Sequence, residues 1–140
     1  MYLGLLSTSN PLVPPARTAE IERFREKLDR ELKAGVVSLL LLFAIDRSGP
    51  DYGYRILRNI QEWSGGRLAF KEGTAYPLLA NLEKGGLVTS YWGDGDGGPP
   101  RKYYQTTALG REALQAALAE WTSLTQSVAD IVKNAPGGNE

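Results

Sequence analysis

The side chains best suited to contact another molecule are concentrated between Asp51 and Gly110. They include Asp51-Tyr52-Gly53-Tyr54, Glu72-Gly73-Thr74-Ala75-Tyr76-Pro77 and the adjacent cations Arg101-Lys102. Hydroxyl, aromatic and basic groups of this kind suit contacts with the base edges and phosphates of a nucleic acid. The carboxylates, by contrast, are scattered over predicted helix surfaces and form no clustered acid–base set. An enzymatic function is therefore the least favoured interpretation of this sequence.

Composition excludes whole classes of site. The 140 residues contain no histidine and no cysteine, which removes zinc, haem, iron–sulfur, Ser-His-Asp and Cys-His chemistry. Asp94 and Asp96 resemble the start of a calcium loop. However, Gly98 occupies the third ligand position and no glutamate follows at the required distance. We predict no catalytic site, no metal site and no cofactor.

Length and hydropathy favour one compact domain with appended helices, since 140 residues at 42% hydrophobic hardly suffice for two cores. The apolar runs at 1–6 and 36–45 are too short for a signal peptide or a membrane span. Together with the absence of cysteine, this predicts a cytoplasmic protein without membrane contact.

The first third of the chain predicts an arm and a long helical region. Residues 1–18 lack apolar periodicity and are expected to form a disordered arm. A helix is predicted to open near Ala19 with Thr18 as its N-cap. Its apolar residues recur at spacings of three and four, namely Ile21, Phe24 and Leu28. From Leu32 the pattern becomes almost uniformly apolar, which predicts a buried core helix ending at Ser48-Gly49-Pro50.

Two shorter helices follow in the order of a helix-turn-helix. Asp51 is predicted to cap the first, which ends at Ser64-Gly65-Gly66. Its apolar positions are Tyr52, Ile56, Leu57, Ile60 and Trp63. A connector at 67–71 leads to the second helix, which begins at Glu72 or Gly73 and ends at Gly85-Gly86. Leu79 and Leu82 are its predicted inward residues.

The start of this second helix is the predicted contact surface. Thr74 and Tyr76 are expected on an exposed first turn, with free backbone N–H groups and Lys71 just ahead. Pro77 is placed in the same turn, where its missing N–H costs nothing. The alternative is that Tyr76 packs and Thr74 only caps the helix.

A β-hairpin is predicted next. Residues 87–92 and 101–106 are rich in β-branched and aromatic side chains, and the glycine-rich residues 93–100 join them through a long, pliable tip. Arg101 and Lys102 at its base suit a phosphate backbone or a minor groove. The alternative is a solvated charge pair. Two helices followed by a basic hairpin predict a winged helix-turn-helix in a mainly helical α+β fold.

The last helix carries more apolar surface than packing on its own domain requires. Leu114, Leu118, Trp121, Thr125, Val128 and Val132 repeat at alternating intervals of four and three, flanked by Leu124. A second copy of the chain would cover this apolar surface, so a homodimer is predicted. The alternative is packing within one chain against the Ile21-Phe24-Leu28 face. The expected organisation is an arm (1–18), a DNA-binding domain (19–106), a dimerisation helix (107–134) and a disordered tail (135–140).

These motifs resemble the PadR family of bacterial transcriptional regulators, over roughly Leu32 to Val132. The most specific pair is Gly73-Thr74-Ala75-Tyr76-Pro77 and Arg101-Lys102-Tyr103-Tyr104. The resemblance implies a homodimeric repressor whose second helix-turn-helix helix lies in the major groove, with the wing on flanking DNA. Ala75, Asn81 and Thr106 depart from the family pattern, which commonly has Leu, Arg and Leu there. Asn81, where the family commonly has arginine, removes a possible phosphate contact.

The short, LmrR-like branch of the family ends in one long helix, as this chain does. Similarity to it through residues 90–94 and Glu120-Trp121 implies a chamber at the dimer interface where planar aromatic compounds stack against Trp121. The alternative is that Trp121 only fills the interface. The predicted ligand or dimer residues are Leu114, Leu118, Trp121, Leu124 and Val128.

We therefore predict a repressor that binds a palindromic operator in duplex DNA as a homodimer and that a small aromatic effector releases. The predicted DNA-binding residues are Tyr54, Arg55, Lys71, Gly73, Thr74, Tyr76, Pro77, Arg101 and Lys102. Charge favours the alternative of a winged-helix adaptor for protein partners, because sixteen basic residues balance sixteen acidic ones.

Overall fold

The computed structural model describes residues 15–137. The chain divides into two units, Met1–Gly35 and Val36–Glu140. The elements in chain order are α1 (Pro15–Ser48), β1 (Asp51–Tyr52), α2 (Gly53–Trp63), α3 (Glu72–Lys84), β2 (Val88–Gly95), β3 (Gly98–Thr106) and α4 (Ala108–Asn134). This order confirms the predicted mainly helical α+β fold with a winged helix-turn-helix.

Helix α1 begins at Pro15, so the predicted start near Ala19 with Thr18 as N-cap is wrong. Proline suits a first helical position, because an N–H there has no intrahelical partner to lose. Residues 15–18 of the predicted arm are thus helical, while residues 1–14 and the tail residues 138–140 lie outside the described part. Within the unit Met1–Gly35, Ile21, Phe24 and Leu28 are exposed.

The core of the unit Val36–Glu140 surrounds the apolar second part of α1, as predicted. Each helix and strand after β1 contributes to it, so burial of this shared cluster fixes their faces. The buried residues are Val37, Leu41, Leu42, Ala44, Ile45, Ile56, Leu57, Ile60, Ala75, Leu79, Leu82, Val88, Tyr104 and Leu114.

Asp51 does not cap α2, contrary to the sequence-based prediction. Asp51 and Tyr52 form the short strand β1, which pairs antiparallel with Tyr104 and Tyr103 of β3. Tyr52 is the N-cap residue and makes no side-chain cap bond, while Asp51 Oδ1 accepts a hydrogen bond of 3.0 Å from the Tyr52 N–H. Two residues are too few to show a strand periodicity, and the pairing partner lies far along the chain.

Trp63, the last apolar position of the predicted helix, is 51% exposed and does not belong to the core. Its ring instead contacts the edge of Phe43, with centroids 6.3 Å apart. The buried residues of α2 are Gly53, Ile56, Leu57 and Ile60.

The sheet has the order β1-β3-β2, and its hairpin is tighter than the predicted pliable tip. Both strands continue through the glycine-rich segment to a turn at Asp96 and Gly97. These two residues have φ angles of 50° and 85°. Positive φ at both turn positions matches the right-handed twist of the strands, which explains the short connection.

Helix α4 is anchored at its start. Thr107 is its N-cap, since its Oγ1 accepts from the Gly110 N–H at 2.9 Å while its hydroxyl donates to the Gly86 carbonyl at 2.7 Å. Gly110 allows this close approach. A Cβ placed on it would lie 2.0 Å from the Leu87 carbonyl oxygen, which belongs to the backbone.

We predict that Gly110→Ala lowers the free energy of unfolding by about 2 kcal/mol or more, because the α3–β2 backbone must shift to admit the methyl group. Gly73→Ala is the matched control, since a Cβ on this helical glycine meets nothing within 4 Å. Urea unfolding followed by circular dichroism measures both. Equal stability of the two variants would contradict the close packing at Gly110.

Candidate nucleic-acid interface

One face of α3 is exposed along the whole helix. Ala75, Leu79 and Leu82 occupy the opposite face and are buried in the core. With 3.6 residues per turn, the exposed side chains align into one stripe. This α3 stripe consists of Gly73, Thr74, Pro77, Ala80, Asn81 and Lys84. An exposed helix face of this kind has the dimensions to enter a major groove.

The first turn of α3 is organised by Lys71. Lys71 is the N-cap, and its carbonyl accepts hydrogen bonds from the N–H groups of Thr74 at 3.0 Å and Ala75 at 3.1 Å. The predicted free N–H groups are therefore those of Glu72 and Gly73, not that of Thr74. Thr74 does not cap the helix, so its exposed hydroxyl remains available to an outside partner.

Tyr76 both packs and remains partly exposed, at 44%. Its ring lies against Gly53 at the start of α2, where a Cβ would be only 2.6 Å from Tyr76 Cε1. Its hydroxyl donates a 2.7 Å hydrogen bond to Glu72 Oε1. That bond and then burial raise the pKa of Tyr76 to about 12. Tyr76 therefore connects α3 to α2 at the edge of the stripe, as the packing alternative expects.

Pro77 lies beyond the first turn, contrary to the prediction. It is an internal residue of α3, which begins at Glu72. Because proline has no N–H, it cannot donate the helical hydrogen bond to the carbonyl of Gly73. Pro77 also contributes a small, rigid apolar surface to the stripe, where it is exposed.

The exposed face of α2 lies beside the start of α3. Tyr54 and Arg58 line a cleft of about 370 Å³ together with Phe70, Lys71 and Glu72. Arg58 is paired with Glu62 through a 3.1 Å contact between its Nε and Glu62 Oε2. Arg55 and Lys71 are exposed and form no ion pair within residues 15–137. Lys71 lines this cleft, and Arg55 lines a neighbouring cleft that shares Tyr54 and Arg58 with it.

The two wing cations lie on opposite faces of the hairpin, because side chains alternate along β3. Arg101 Nη1 is 3.6 Å from Asp96 Oδ2, and its guanidinium lies over the ring of Tyr52 at 4.3 Å from the centroid. Both contacts hold Arg101 on the outer face of the sheet. Its exposed Asp96 partner is a solvated carboxylate that a phosphate can replace.

Lys102 faces α3. Its Nζ is 3.6 Å from Glu83 Oε1 and 5.7 Å from the ring centroid of Tyr104. Glu83 also accepts a hydrogen bond from the Ser90 hydroxyl at 2.5 Å. One carboxylate of α3 therefore contacts both strands of the wing, so the wing base is tied to α3.

The structure thus brings most of the predicted contact residues onto neighbouring surfaces. Gly73, Thr74 and Pro77 share the α3 stripe, while Tyr54 and Lys71 share the adjacent cleft. Two polar stripe residues were absent from the predicted site, namely Asn81, which was considered only as the loss of a phosphate contact, and Lys84. Their spacing of seven and ten residues from Thr74 is helical and was sufficient to find them.

The predicted ligand or dimer residues of α4 fall into two groups. Leu114 is 3% exposed and belongs to the core, because the first turns of α4 pack on it, so its assignment to the interface is wrong. Leu118 is partly buried against the same core. Trp121, Leu124 and Val128 are 45%, 55% and 53% exposed. The exposed apolar face of α4 therefore begins beyond Leu118.

Residues 15–137 contain neither a metal-binding group of side chains nor a membrane-spanning helix. No group of three or more acidic side chains there is arranged to hold a metal ion. No helix there is both long and apolar enough to cross a membrane.

Comparison with known proteins identifies the family. A family model described as the transcriptional regulator PadR-like family matches residues 41–116, which include α2, α3 and the wing. An uncharacterized protein from Lysinibacillus sphaericus is 33% identical over 92 residues, covering 66% of this chain and 81% of the relative.

Solved structures agree with this match. A PadR family transcriptional regulator from Eggerthella lenta has a TM-score of 0.74 and 29% identity, covering 83% of this chain and 98% of that one. A PadR family regulator from Clostridium difficile has a TM-score of 0.59 and 28% identity, covering 69% and 98%. Regulators of this family bind DNA and are not enzymes. The chain, with its exposed α3 stripe and paired wing, belongs to the PadR-like family of transcriptional regulators.

Proposed function

We propose that this regulator binds a palindromic operator in duplex DNA as a homodimer, that it represses transcription, and that a planar aromatic effector releases it. The observation that carries the DNA-binding part is the α3 stripe. It presents small and polar side chains along the whole helix, with Lys71 before its first residue and Lys84 as its last. Neither lysine forms an ion pair within residues 15–137. In this proposal the protein acts on DNA in the cytoplasm.

The stripe enters the major groove, and the cations around it contact the phosphates. Lys71, Arg55 and the Glu72 and Gly73 N–H groups approach one strand near the start of α3. Arg101 and Lys102 approach the flanking DNA from the wing. Tyr54, which lies beside Arg58, and Tyr76, which packs on Gly53, support the start of α3.

Charge balance makes the number of phosphate contacts small. Sixteen basic residues are matched by sixteen acidic ones, so binding rests on placed cations and not on a broad basic surface. The affinity of such a complex still falls as salt rises. The logarithm of the binding constant decreases with the logarithm of the salt concentration, with a slope of about 0.9 for each phosphate neutralised. An apolar protein interface, as an adaptor would use, does not lose affinity in this way.

The first test is fluorescence anisotropy across a salt series, with the protein's own upstream intergenic DNA and a scrambled duplex of equal length. We expect Arg101→Ala and Lys102→Ala to weaken binding to both duplexes and to lower the salt slope by about one each. Thr74→Ala should instead reduce the preference between the two duplexes, since its hydroxyl and methyl groups face the bases.

Lys133→Ala is the control, because Lys133 is an exposed lysine in the last turn of α4, away from α3 and the wing. It should change neither affinity nor slope. Identical effects from Arg101→Ala, Lys102→Ala and Thr74→Ala would contradict the assigned roles. Indifference of the wild-type protein to both duplexes at low salt would favour the protein adaptor.

The exposed face of α4 supports a dimer. Trp121, Leu124, Val128, Ile131 and Val132 are each between 45% and 67% exposed. A continuous apolar surface of this size is costly in water, and a second copy of the same helix covers it with matching chemistry. We assign residues 107–134 to dimerisation and 19–106 to DNA binding. A two-fold axis places two α3 helices about 34–36 Å apart in a palindromic operator.

We expect Val128→Glu to convert the dimer to a monomer, because two carboxylates would be buried across the two-fold axis. Ser123→Glu is the matched control, since helical geometry places Ser123 on the opposite side of α4. Sedimentation velocity measures the mass. The Val128→Glu monomer should keep its affinity for a half-site and lose the gain that a palindrome provides. A dimeric Val128→Glu protein would overturn this interface.

The effector proposal depends on Trp121, which is 45% exposed on the same face. Its copy lies near it across a two-fold axis, and two indole rings can stack on a planar molecule. A planar aromatic dye should quench tryptophan fluorescence in the wild type and in Trp63→Phe, but not in Trp121→Phe. It should also release operator DNA, since it changes the population of dimer shapes. Equal quenching in Trp121→Phe would refute the site.

A further inference from the structure

Asn81, like Thr74 and Lys84, is a polar residue of the α3 stripe whose side chain has no partner within residues 15–137. It is exposed, and its side-chain amide makes no hydrogen bond within residues 15–137. Its backbone is fixed, because its carbonyl accepts a 3.0 Å hydrogen bond from the Gly85 N–H at the end of α3. An amide is thus held on a rigid helix and is free to meet an outside group.

The amide has chemistry that the other stripe residues lack. It presents a carbonyl acceptor and an NH₂ donor side by side. Thr74 has a single hydroxyl, and Lys84 is a donor only. In the major groove, adenine presents N7 as acceptor and its N6 amino group as donor, so one asparagine forms two parallel hydrogen bonds with it.

The surroundings of Asn81 permit the close approach that its short side chain needs. The neighbouring stripe positions are Pro77 and Ala80, which carry little bulk. Lys84 lies one turn further along and can reach outward to a phosphate while the helix lies deep in the groove. Apart from Lys84, the stripe carries no large side chain beside Asn81.

We propose that Asn81 recognises an adenine in each operator half-site and is a specificity-determining residue of this regulator, with Lys84 on the adjacent phosphate. The inference rests on the proposed DNA-binding function. Thr74 and Asn81 are separated by about 10.5 Å along the helix, which corresponds to about three base-pair steps. The two side chains therefore recognise positions about three base pairs apart in one half-site.

Removing the amide should leave the fold intact. The side chain contributes no hydrogen bond to the described structure, and alanine has a higher helix propensity than asparagine. Asn81→Ala therefore separates recognition from folding. Lys84→Ala is the contrasting variant from the same stripe, and it should weaken all sequences alike while lowering the salt slope by about one.

The experiment selects binding sites from randomised duplexes with wild-type, Asn81→Ala and Lys84→Ala proteins. We expect the wild-type motif to contain an A·T pair whose enrichment falls about tenfold or more in Asn81→Ala, at that position alone. Lys84→Ala should select the unchanged motif. The selected duplex is then made with 7-deazaadenine at that position, which removes the N7 acceptor. This change should weaken the wild type and leave Asn81→Ala unaffected.

The outcomes separate the inference from the function on which it rests. If the wild type selects a motif and Asn81→Ala selects the same motif with the same base preferences, the Asn81 assignment is overturned while DNA recognition stands. Equal sensitivity of both proteins to 7-deazaadenine overturns it as well. If the wild type selects no motif, sequence-specific DNA binding is overturned together with the inference.

Discussion

Burial of one face of α3 is the constraint on which the rest of the molecule depends. Ala75 and Leu79 are fully buried and Leu82 is 8% exposed, so the helix cannot rotate without exposing them to water. The opposite face is therefore exposed to solvent over the whole length of the helix. In the proposed complex, recognition is decided by the small set of side chains left on that face.

Contacts on both sides of α3 fix its direction. Tyr76 packs on Gly53 of α2 and bonds to Glu72, while Glu83 contacts Ser90 and Lys102 of the wing. A side chain at this glycine would displace the tyrosine ring, which occupies the space that the side chain would fill. A rigid helix held by contacts on both sides is the arrangement that base recognition needs, since hydrogen bonds to base edges tolerate little displacement.

A neutral net charge is consistent with this architecture. Arg101 and Lys102 are each within 3.6 Å of a carboxylate, whereas Lys71 and Lys84 at the ends of α3 form no ion pair within residues 15–137. The unpaired cations therefore lie at the two ends of the exposed α3 stripe, and in the proposed complex the wing cations exchange a carboxylate for a phosphate. Selectivity can then come from geometry, because non-specific attraction to a polyanion is weak.

Much of the fold was accessible from local patterns. Helical spacing and the stops at Gly85-Gly86 defined α3, and alternating β-branched and aromatic residues defined the hairpin. The same helical spacing contained Asn81 and Lys84, which the predicted site did not include. The motifs from Gly73 to Pro77 and from Arg101 to Tyr104 also identified the family, which the comparisons confirmed.

The amino-acid sequence by itself determined the helices, the hairpin and the chemical types of the contact residues, because each depends on neighbours a few positions away. Only the tertiary structure decided that Asp51-Tyr52 is a strand, that Leu114 is in the core, that Tyr76 covers Gly53 and that Glu83 holds Lys102. These features join residues that are distant in the chain. Their energies arise from burial and close contact, which no local pattern records.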